Sequence, residues 1–368
     1  MSGVELPAGV TALGPWVLDR TPWPSRPDAW LAHKTDRPDL QGIVVSWPDV
    51  SEGRASARRM VASLRTLAQE AIPLLLDTGT SEGRVWVVTL PAEGELLSDI
   101  LESGPVDWRD ACTLVWSVGR ALAVANGHGI SHRDVSPTNI VVAADWTAQL
   151  MGWDLAMDDA ALAQAANPPL GDIKYVAPEV IAQPLQHGPR ADLYALGIVF
   201  YEMMTGRSAF PAAAMGNRPE QAATMLEWKT RAAPLDASAH APPWLASLLR
   251  RATDAAPEKR LPDVDALVGW LDAAQGAWVR MGGGRSGVPA RPRSATPPPA
   301  IAAQESRLSA ASIRLAPAMD LQMQTSAIAI PANLGPPVEF YYLWASVIGL
   351  MSGAIFAVLV IAFAEIGA

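Results

Sequence analysis

The stretch SHRDVSPTNI, residues 131–140, constrains the fold of this chain more than any other part of the sequence. It holds His132, Arg133 and Asp134 in a row, and Asn139 follows after four intervening residues. A carboxylate can accept the proton of an attacking hydroxyl group, and a carboxamide oxygen can bind Mg²⁺. Three further segments follow in order: YVAPE ending at Glu179, DLYALG beginning at Asp192, and DAAPEKR ending at Arg260.

The order and spacing of these four segments resemble the C-terminal lobe of the serine/threonine protein kinases. The resemblance extends over roughly residues 15–275 and implies an α+β, bilobal protein kinase fold. A small β-rich N-lobe is expected over residues 1–92 and a large helical C-lobe over residues 93–280. The HRDVSP variant and the Ala-, Pro- and Trp-rich composition are typical of bacterial sequences.

Hydrophobic patterns place the main elements within these lobes. Short apolar runs rich in β-branched residues predict strands at residues 42–47 and 84–90. Apolar residues at helical spacing predict helices over residues 54–71, 107–129 and 189–206, and the last of these is apolar nearly all round. A helix of that kind is expected at the centre of the larger lobe.

The resemblance also implies a role for each motif residue. His132, Arg133, Asp134 and Asn139 would form the catalytic loop, with Asp134 as the base and Asn139 as a magnesium ligand. Arg133 would balance the negative charge of a phosphorylated activation segment. Two structural roles are implied as well: Asp192 would cap the backbone of the catalytic loop, and Glu179 would pair with Arg260.

The loop that holds the phosphates of a nucleotide is altered. The three glycine positions of the family fall on Pro22, Pro24 and Pro27. Glycine lets the backbone approach phosphates closely and offers N–H donors, whereas proline has no N–H and a fixed φ. We therefore expect no phosphate cradle at this loop.

The ion pair that normally anchors the phosphates is missing too. Ser46 falls at the position of the strand lysine, and Met60 falls at the position of the helix glutamate. A hydroxyl group carries no charge to hold a phosphate. Arg26 and Lys34 are the nearby cations that could replace the lysine.

The metal site is the third departure. Gly152 occupies the position of the metal-binding aspartate, and a carboxylate appears only at Asp154. Two residues of extended chain span about 7 Å, whereas Mg²⁺ binds oxygens at about 2.1 Å. Any metal would depend on Asn139, with Asp154 joining it only after a rearrangement.

The activation segment lacks the usual phosphorylation sites. No serine or threonine occurs between Gly152 and Glu179, and Asp172 stands where the family has a threonine. Asp158, Asp159 and Asp172 are candidates for a permanent negative charge beside Arg133.

These departures favour a pseudokinase, a kinase-like domain that serves as a binding, scaffold or regulatory module and has other signalling proteins or kinases as partners. Two alternatives stay open: an active but atypical serine/threonine kinase, and a nucleotide sensor without phosphate transfer. ATP and magnesium are expected as cofactors only if the first alternative holds.

Composition excludes some classes of protein. The net charge is −9, and no basic stripe points to a nucleic-acid partner. Cys112 is the single cysteine, so no disulfide can form within the chain. The five histidines show no zinc-type spacing.

The C-terminal part differs in character. Residues 281–338 are rich in Gly, Pro, Ser and Ala, which predicts a disordered linker. Residues 340–364 carry no charge and are long enough for a transmembrane helix. With no signal peptide at the N-terminus, we expect a single-pass protein of the cell membrane with a cytoplasmic kinase-like domain. Small residues at positions 345, 349, 353 and 357 suggest a homodimer through this helix.

Overall fold

The structure, a computed structural model, describes residues 10–23, 26–67, 71–165, 168–210 and 218–280. All of them lie within residues 1–319, the first of two units into which the chain divides. The predicted linker at 281–338 and the predicted transmembrane helix at 340–364, including its small residues, lie outside the described residues. Among the helices that are described, none combines the length and the apolar character that crossing a bilayer requires.

The N-terminal part is an antiparallel sheet of six strands in the order β1-β2-β3-β4-β6-β5. The strands are β1 (Ala12–Leu13), β2 (Trp16–Trp23), β3 (Arg26–Lys34), β4 (Arg37–Pro48), β5 (Leu75–Ser81) and β6 (Arg84–Thr89). The strands predicted at 42–47 and 84–90 are confirmed as parts of β4 and as β6.

Helix α1 (Ser51–Thr66) packs on one face of this sheet. On that face, Ile43 and Val45 of β4 share a hydrophobic core with Ala57, Met60 and Leu64 of the helix. The intervening Val44 belongs to a second core on the opposite face, built around Trp16 and Trp86. Because both faces are covered, β4 is buried almost continuously from Ile43 to Ser46 and shows no alternation of polar and apolar residues.

The C-terminal part is mainly helical. Its helices are α2 (Leu97–Glu102), α3 (Trp108–Gly127), α4 (Asp159–Gln164), α5 (Pro178–Ala182), α6 (Pro189–Thr205), α7 (Arg218–Arg231), α8 (Pro243–Ala252) and α9 (Val264–Arg280). Helix α6 lies at the centre, and fourteen of its residues are buried. It ends at Gly206, whose φ of 63° closes the helix in the left-handed conformation. The helices predicted over 107–129 and 189–206 are confirmed as α3 and α6.

Short strands carry the chain between the lobes and around the candidate site. Strands β7 (Glu95–Leu96), β9 (Ile140–Val142) and β10 (Ala148–Leu150) form a three-stranded sheet. Strand β8 (Ile130–Ser131) pairs with β11 (Met157–Asp158). The HRD motif therefore begins directly after β8, and Asn139 directly precedes β9. The described fold is thus a small β-rich part followed by a large helical part, as the sequence predicts.

Candidate functional site

Asp192, at the start of helix α6, holds the backbone of the HRD motif. Its Oδ2 accepts the backbone N–H of His132 at 2.9 Å, and its Oδ1 accepts that of Arg133 at 3.0 Å. Arg133 has a φ of 72°, a left-handed conformation that a non-glycine residue adopts only when its surroundings impose it. Burial raises the pKa of the Asp192 carboxyl to about 6, although the two N–H bonds oppose this rise. The loop conformation is thus fixed by one buried carboxyl group.

An edge-to-face ring contact joins this loop to the segment that follows β10. The ring of His132 meets the ring of Trp153 edge-on, with 4.6 Å between centroids, and its Nε2 lies 2.8 Å from the carbonyl oxygen of Met151. Trp153 is fully buried, and its Nε1–H donates to the carbonyl of Leu150. The backbone at Gly152 is therefore held between two anchored neighbours.

The Asp134 carboxylate is engaged from two sides. Its Oδ2 accepts a 2.8 Å hydrogen bond from Nδ2 of Asn139, which also donates to the backbone carbonyl of Asp134. Its Oδ1 accepts the backbone N–H of Asp172 at 3.0 Å. The activation segment therefore lies directly on the side chain that the resemblance assigns as the base.

Asn139 also fills the place where a metal-binding carboxylate would project. A Cβ built on Gly152 would stand 2.6 Å from both Cγ and Oδ1 of Asn139. Gly152 has a φ of 77°, which further disfavours any residue with a side chain. Within the described residues, no group of three or more His, Cys, Asp or Glu side chains could hold a metal ion.

Asp154 lies elsewhere, in a short 3-10 helix at Trp153–Leu155 that packs against α1. It is nearly buried, and its charge acts on the guanidinium of Arg59, a residue of α1. Burial lowers the pKa of Arg59, whereas the charges of Asp154 and Glu52 partly offset that effect. The sequence analysis did not identify Arg59. It could have been found as an arginine directly before Met60, on a helix whose inner face is otherwise uncharged.

Ser46 lies on β4 but does not face helix α1. Its hydroxyl oxygen accepts a hydrogen bond of 2.9 Å from Nε of the buried Arg84, and its carbonyl accepts one from Nη2 of the same residue. Ser46 is opposite Trp86 in the register, on the face of the second core. The neighbouring Val45 points toward α1, where it shares a core with Met60. The strand position that faces the helix glutamate position is therefore Val45, and neither it nor Met60 carries a charge.

The two substitute cations occupy opposite ends of β3. Arg26 begins the strand, opposite Trp23 of β2, and Lys34 ends it, opposite Trp16. Eight steps along a strand span about 26 Å, so Lys34 is far from the end that the nucleotide loop adjoins. Pro22 lies near the end of β2 and Pro27 near the start of β3, while Pro24 falls outside the described residues.

Arg133 is buried with an incomplete set of partners. Its Nη2 donates to the carbonyl of Pro169 at 3.1 Å, whereas Nε and Nη1 are buried without a hydrogen-bond partner among the described residues. Asp158, Asp159 and Asp172 make no hydrogen bond with Arg133 in the described part of the chain, so the idea that one of them balances its charge stays a prediction. Burial lowers the pKa of Arg133, and the nearby Arg59 lowers it further, whereas Asp192 opposes the shift.

A buried ion pair fixes the end of the activation segment. The Arg260 guanidinium donates Nη1 to Oε1 and Nη2 to Oε2 of Glu179, at 2.6 and 2.7 Å. The remaining donors reach backbone carbonyls of Asp254, Arg190 and Ala255. A bidentate pair with every donor satisfied is the strong form of this interaction. It stabilises the C-terminal part whether or not the site is catalytic.

Comparisons with known proteins give the context of this site. The family described as "Protein kinase domain" matches residues 47–269. A probable serine/threonine-protein kinase of Clostridium perfringens, CPE1738, is 29% identical over 218 residues, which cover 58% of this chain and 31% of that protein. The serine/threonine-protein kinases PknE and PknA of Mycobacterium tuberculosis are 32% identical over 186 residues and 34% identical over 164 residues. These matches cover 49% and 41% of this chain but only 32% of PknE and 37% of PknA, so the chain spans about a third of these relatives' length.

Proposed function

The chain belongs to the protein kinase family, of the bacterial serine/threonine type, and we propose that it is a pseudokinase whose kinase-like domain binds other signalling proteins instead of transferring phosphate. Phosphoryl transfer depends almost entirely on positioning the nucleotide and stabilising its charge. The residues around the catalytic loop keep its backbone architecture, but they lack the groups that would position a nucleotide or stabilise its charge.

The relationship between Asn139 and Gly152 carries the proposal. In an active site, a carboxylate at position 152 and the amide at 139 would share a metal ion. Here the side chain of Asn139 occupies the space beside Gly152 and donates its Nδ2 to Asp134. A metal ion there would need a new ligand in place of the carboxylate that Gly152 cannot supply.

The strand and helix positions support the same proposal. Val45 and Met60 pack together in the core between β4 and α1, where an anchoring ion pair would otherwise lie. Ser46 is engaged with Arg84 on the other face of the sheet. In addition, with prolines at positions 22, 24 and 27, this loop offers no glycine whose backbone could approach a phosphate.

One observation favours the alternative of an active but atypical kinase. Arg59 and Asp154 bring one cation and one carboxylate to the inner side of α1, close enough for their charges to interact. If α1 and the segment after β10 rearranged on binding ATP, Arg59 would be a candidate for the phosphate-binding cation and Asp154 for a metal ligand.

Attachment to the membrane is a separate part of the proposal and rests on the sequence. The uncharged residues 340–364 follow a linker of more than fifty residues, which would let the kinase-like domain reach partners near the membrane surface. A homodimer through the same segment would bring two such domains together.

The test is a phosphotransfer assay on the purified full chain with ATP and Mg²⁺, using the protein itself and generic protein substrates as acceptors. The pseudokinase proposal predicts no magnesium-dependent transfer above that of a heat-inactivated sample. A thermal shift with ATP, measured with and without Mg²⁺, distinguishes a nucleotide sensor from a protein that ignores nucleotide. Transfer that disappears in the Asp134→Asn variant would instead support the active-kinase alternative.

A further inference from the structure

Lys229 of helix α7 lies beneath the activation segment and is almost completely buried, with 1% of its surface exposed. Its Nζ donates to the carbonyl oxygens of Lys174 and Val176, at 2.8 and 2.6 Å. The same amine lies 5.2 Å from the ring centre of Tyr194 and 5.1 Å from that of Phe210. A side chain that reaches two alternate carbonyls of one short segment fixes the backbone of that segment.

The segment held in this way also covers the catalytic loop. The backbone N–H of Asp172 donates to Oδ1 of Asp134. A Cβ built on Gly171 would stand 2.2 Å from that same oxygen, so the backbone here has approached as closely as a glycine permits. Between the two contacts, Tyr175 N–H and Val176 N–H both donate to the carbonyl of Asp172, which closes residues 172–176 into a compact turn.

We propose that residues 171–176 form a strap that covers the Asp134 carboxylate and that Lys229 holds this strap closed. The strap has two attachment points: Asp172 on the catalytic loop and the carbonyls of Lys174 and Val176 on α7. Because a compact turn joins them, releasing one end loosens the other.

The surroundings of the amine make the closed strap sensitive to pH. Burial lowers the pKa of Lys229 to about 7, and Arg260 adds to this effect, while the charges of Asp172, Glu179 and Glu202 oppose it. Other titratable groups packed around the amine are Lys174 and Tyr175 of the strap and Tyr194 of α6, and both Lys174 and Tyr175 are engaged with Glu202.

The sign of the effect follows from proton linkage. In an open strap the exposed amine would regain its ordinary pKa of 10.5, so the open form binds a proton more tightly than the closed form. Protons therefore favour opening. The closed strap gains stability as pH rises from about 7 toward 10.5 and is least stable below pH 7.

The experiment is hydrogen exchange of the full chain at pH 6.5 and pH 9, with rates corrected for the intrinsic pH dependence of amide exchange. Peptides that cover residues 168–182 report on the strap, and peptides from α6 serve as the internal reference. In the unmodified chain we expect the strap to exchange at least about tenfold more slowly at pH 9 than at pH 6.5, because the open strap binds a proton at Lys229 more tightly than the closed strap does. The α6 peptides should exchange more slowly than the strap at both pH values, because they open only when the whole domain unfolds.

The Lys229→Met variant removes the amine and keeps an unbranched side chain of similar length. Its strap should exchange about tenfold faster than the unmodified strap at pH 9 and should no longer respond to pH. Lys259→Met makes the same replacement at an exposed lysine and should behave as the unmodified chain. A variant strap as protected as the original at both pH values would overturn the proposal. If Lys229→Met unfolds the protein, loss of α6 protection will reveal it, and the pH series on the unmodified chain then decides: strap protection independent of pH overturns the proposal.

Discussion

The side chain of Asn139 stands 2.6 Å from the point where Gly152 would carry a Cβ. These two residues are separated by a β-hairpin in the chain, and β9 and β10 bring them together. Nδ2 of Asn139 also donates to Asp134, and this hydrogen bond holds the amide group in its orientation within the loop. This relationship leaves a carboxylate at position 152 without room, and it yields the first prediction.

Gly152→Asp should destabilise the protein and should not restore phosphate transfer. The new side chain meets Asn139 and requires a φ of 77°, each of which is unfavourable. We expect a loss of about 1–3 kcal/mol in the free energy of unfolding, measured by denaturant titration. Gly83→Asp is the matched control, because Gly83 has a φ of 66° but no atom within 4 Å of a built Cβ in the described structure. An equal loss in both variants would assign the effect to φ alone.

Asp134→Asn should leave the binding of partner proteins and the cellular function unchanged. Asp134 has no substrate hydroxyl to deprotonate in a pseudokinase, and the strap covers it. A modest loss of stability, about 1 kcal/mol, is expected. Both carboxylate oxygens of Asp134 accept a hydrogen bond, and asparagine would put an N–H donor in the place of one of them. Complementation of a deletion strain by the variant is the measurement, and failure of a well-folded variant to complement would contradict the proposed function.

Arg260→Met should destabilise the protein by about 3–5 kcal/mol, because it leaves Glu179 as a buried charge without its partner. The activation segment would lose its anchor, so partner binding should fall as well. Arg250→Met is the control, since Arg250 pairs with Asp236 at the surface and its loss should change stability by less than about 1 kcal/mol. Thermal and denaturant unfolding of both variants measure the difference, and similar losses would argue against a special role for the buried pair.

His187→Phe should reduce the sensitivity of the protein to acid. The side chain of His187 is buried, its Nδ1 has no hydrogen-bond partner within the described part of the chain, and burial lowers its pKa well below 6.5. The unfolded chain therefore binds a proton at His187 that the folded state does not bind, so stability is lost as pH falls below about 6.5. Phenylalanine keeps the ring shape without a titratable nitrogen. Unfolding midpoints between pH 7.5 and pH 5 should fall less steeply in the variant, and parallel curves would show that His187 titrates normally.

The prediction from sequence succeeded where residues lie close together in the chain or form long periodic elements. The HRD motif and Asn139 are held within eight residues, so their proximity needs no tertiary information. Helices α3 and α6 were found because their apolar pattern extends over many turns.

The prediction was less accurate on β4, where tertiary packing controls the outcome. The run from Ile43 to Ser46 is buried on both faces, so composition gives no sign of which residue faces α1. A shift of one residue moves a side chain to the other face: Ser46, predicted at the lysine position, faces away from α1, and its neighbour Val45 faces that helix. Arg59 was missed for a related reason, since the carboxylate that interacts with it lies about a hundred residues later.

The sequence by itself determined the family and the order of the elements, and it predicts the loss of the charged and glycine residues that hold a nucleotide, because these are properties of residue type and spacing along the chain. Only the tertiary structure decided that Asn139 fills the space beside Gly152, that Asp172 covers Asp134 and that Lys229 holds the strap. Such contacts join residues separated by tens of positions, and their existence depends on packing and on the burial of polar groups, which no local pattern specifies.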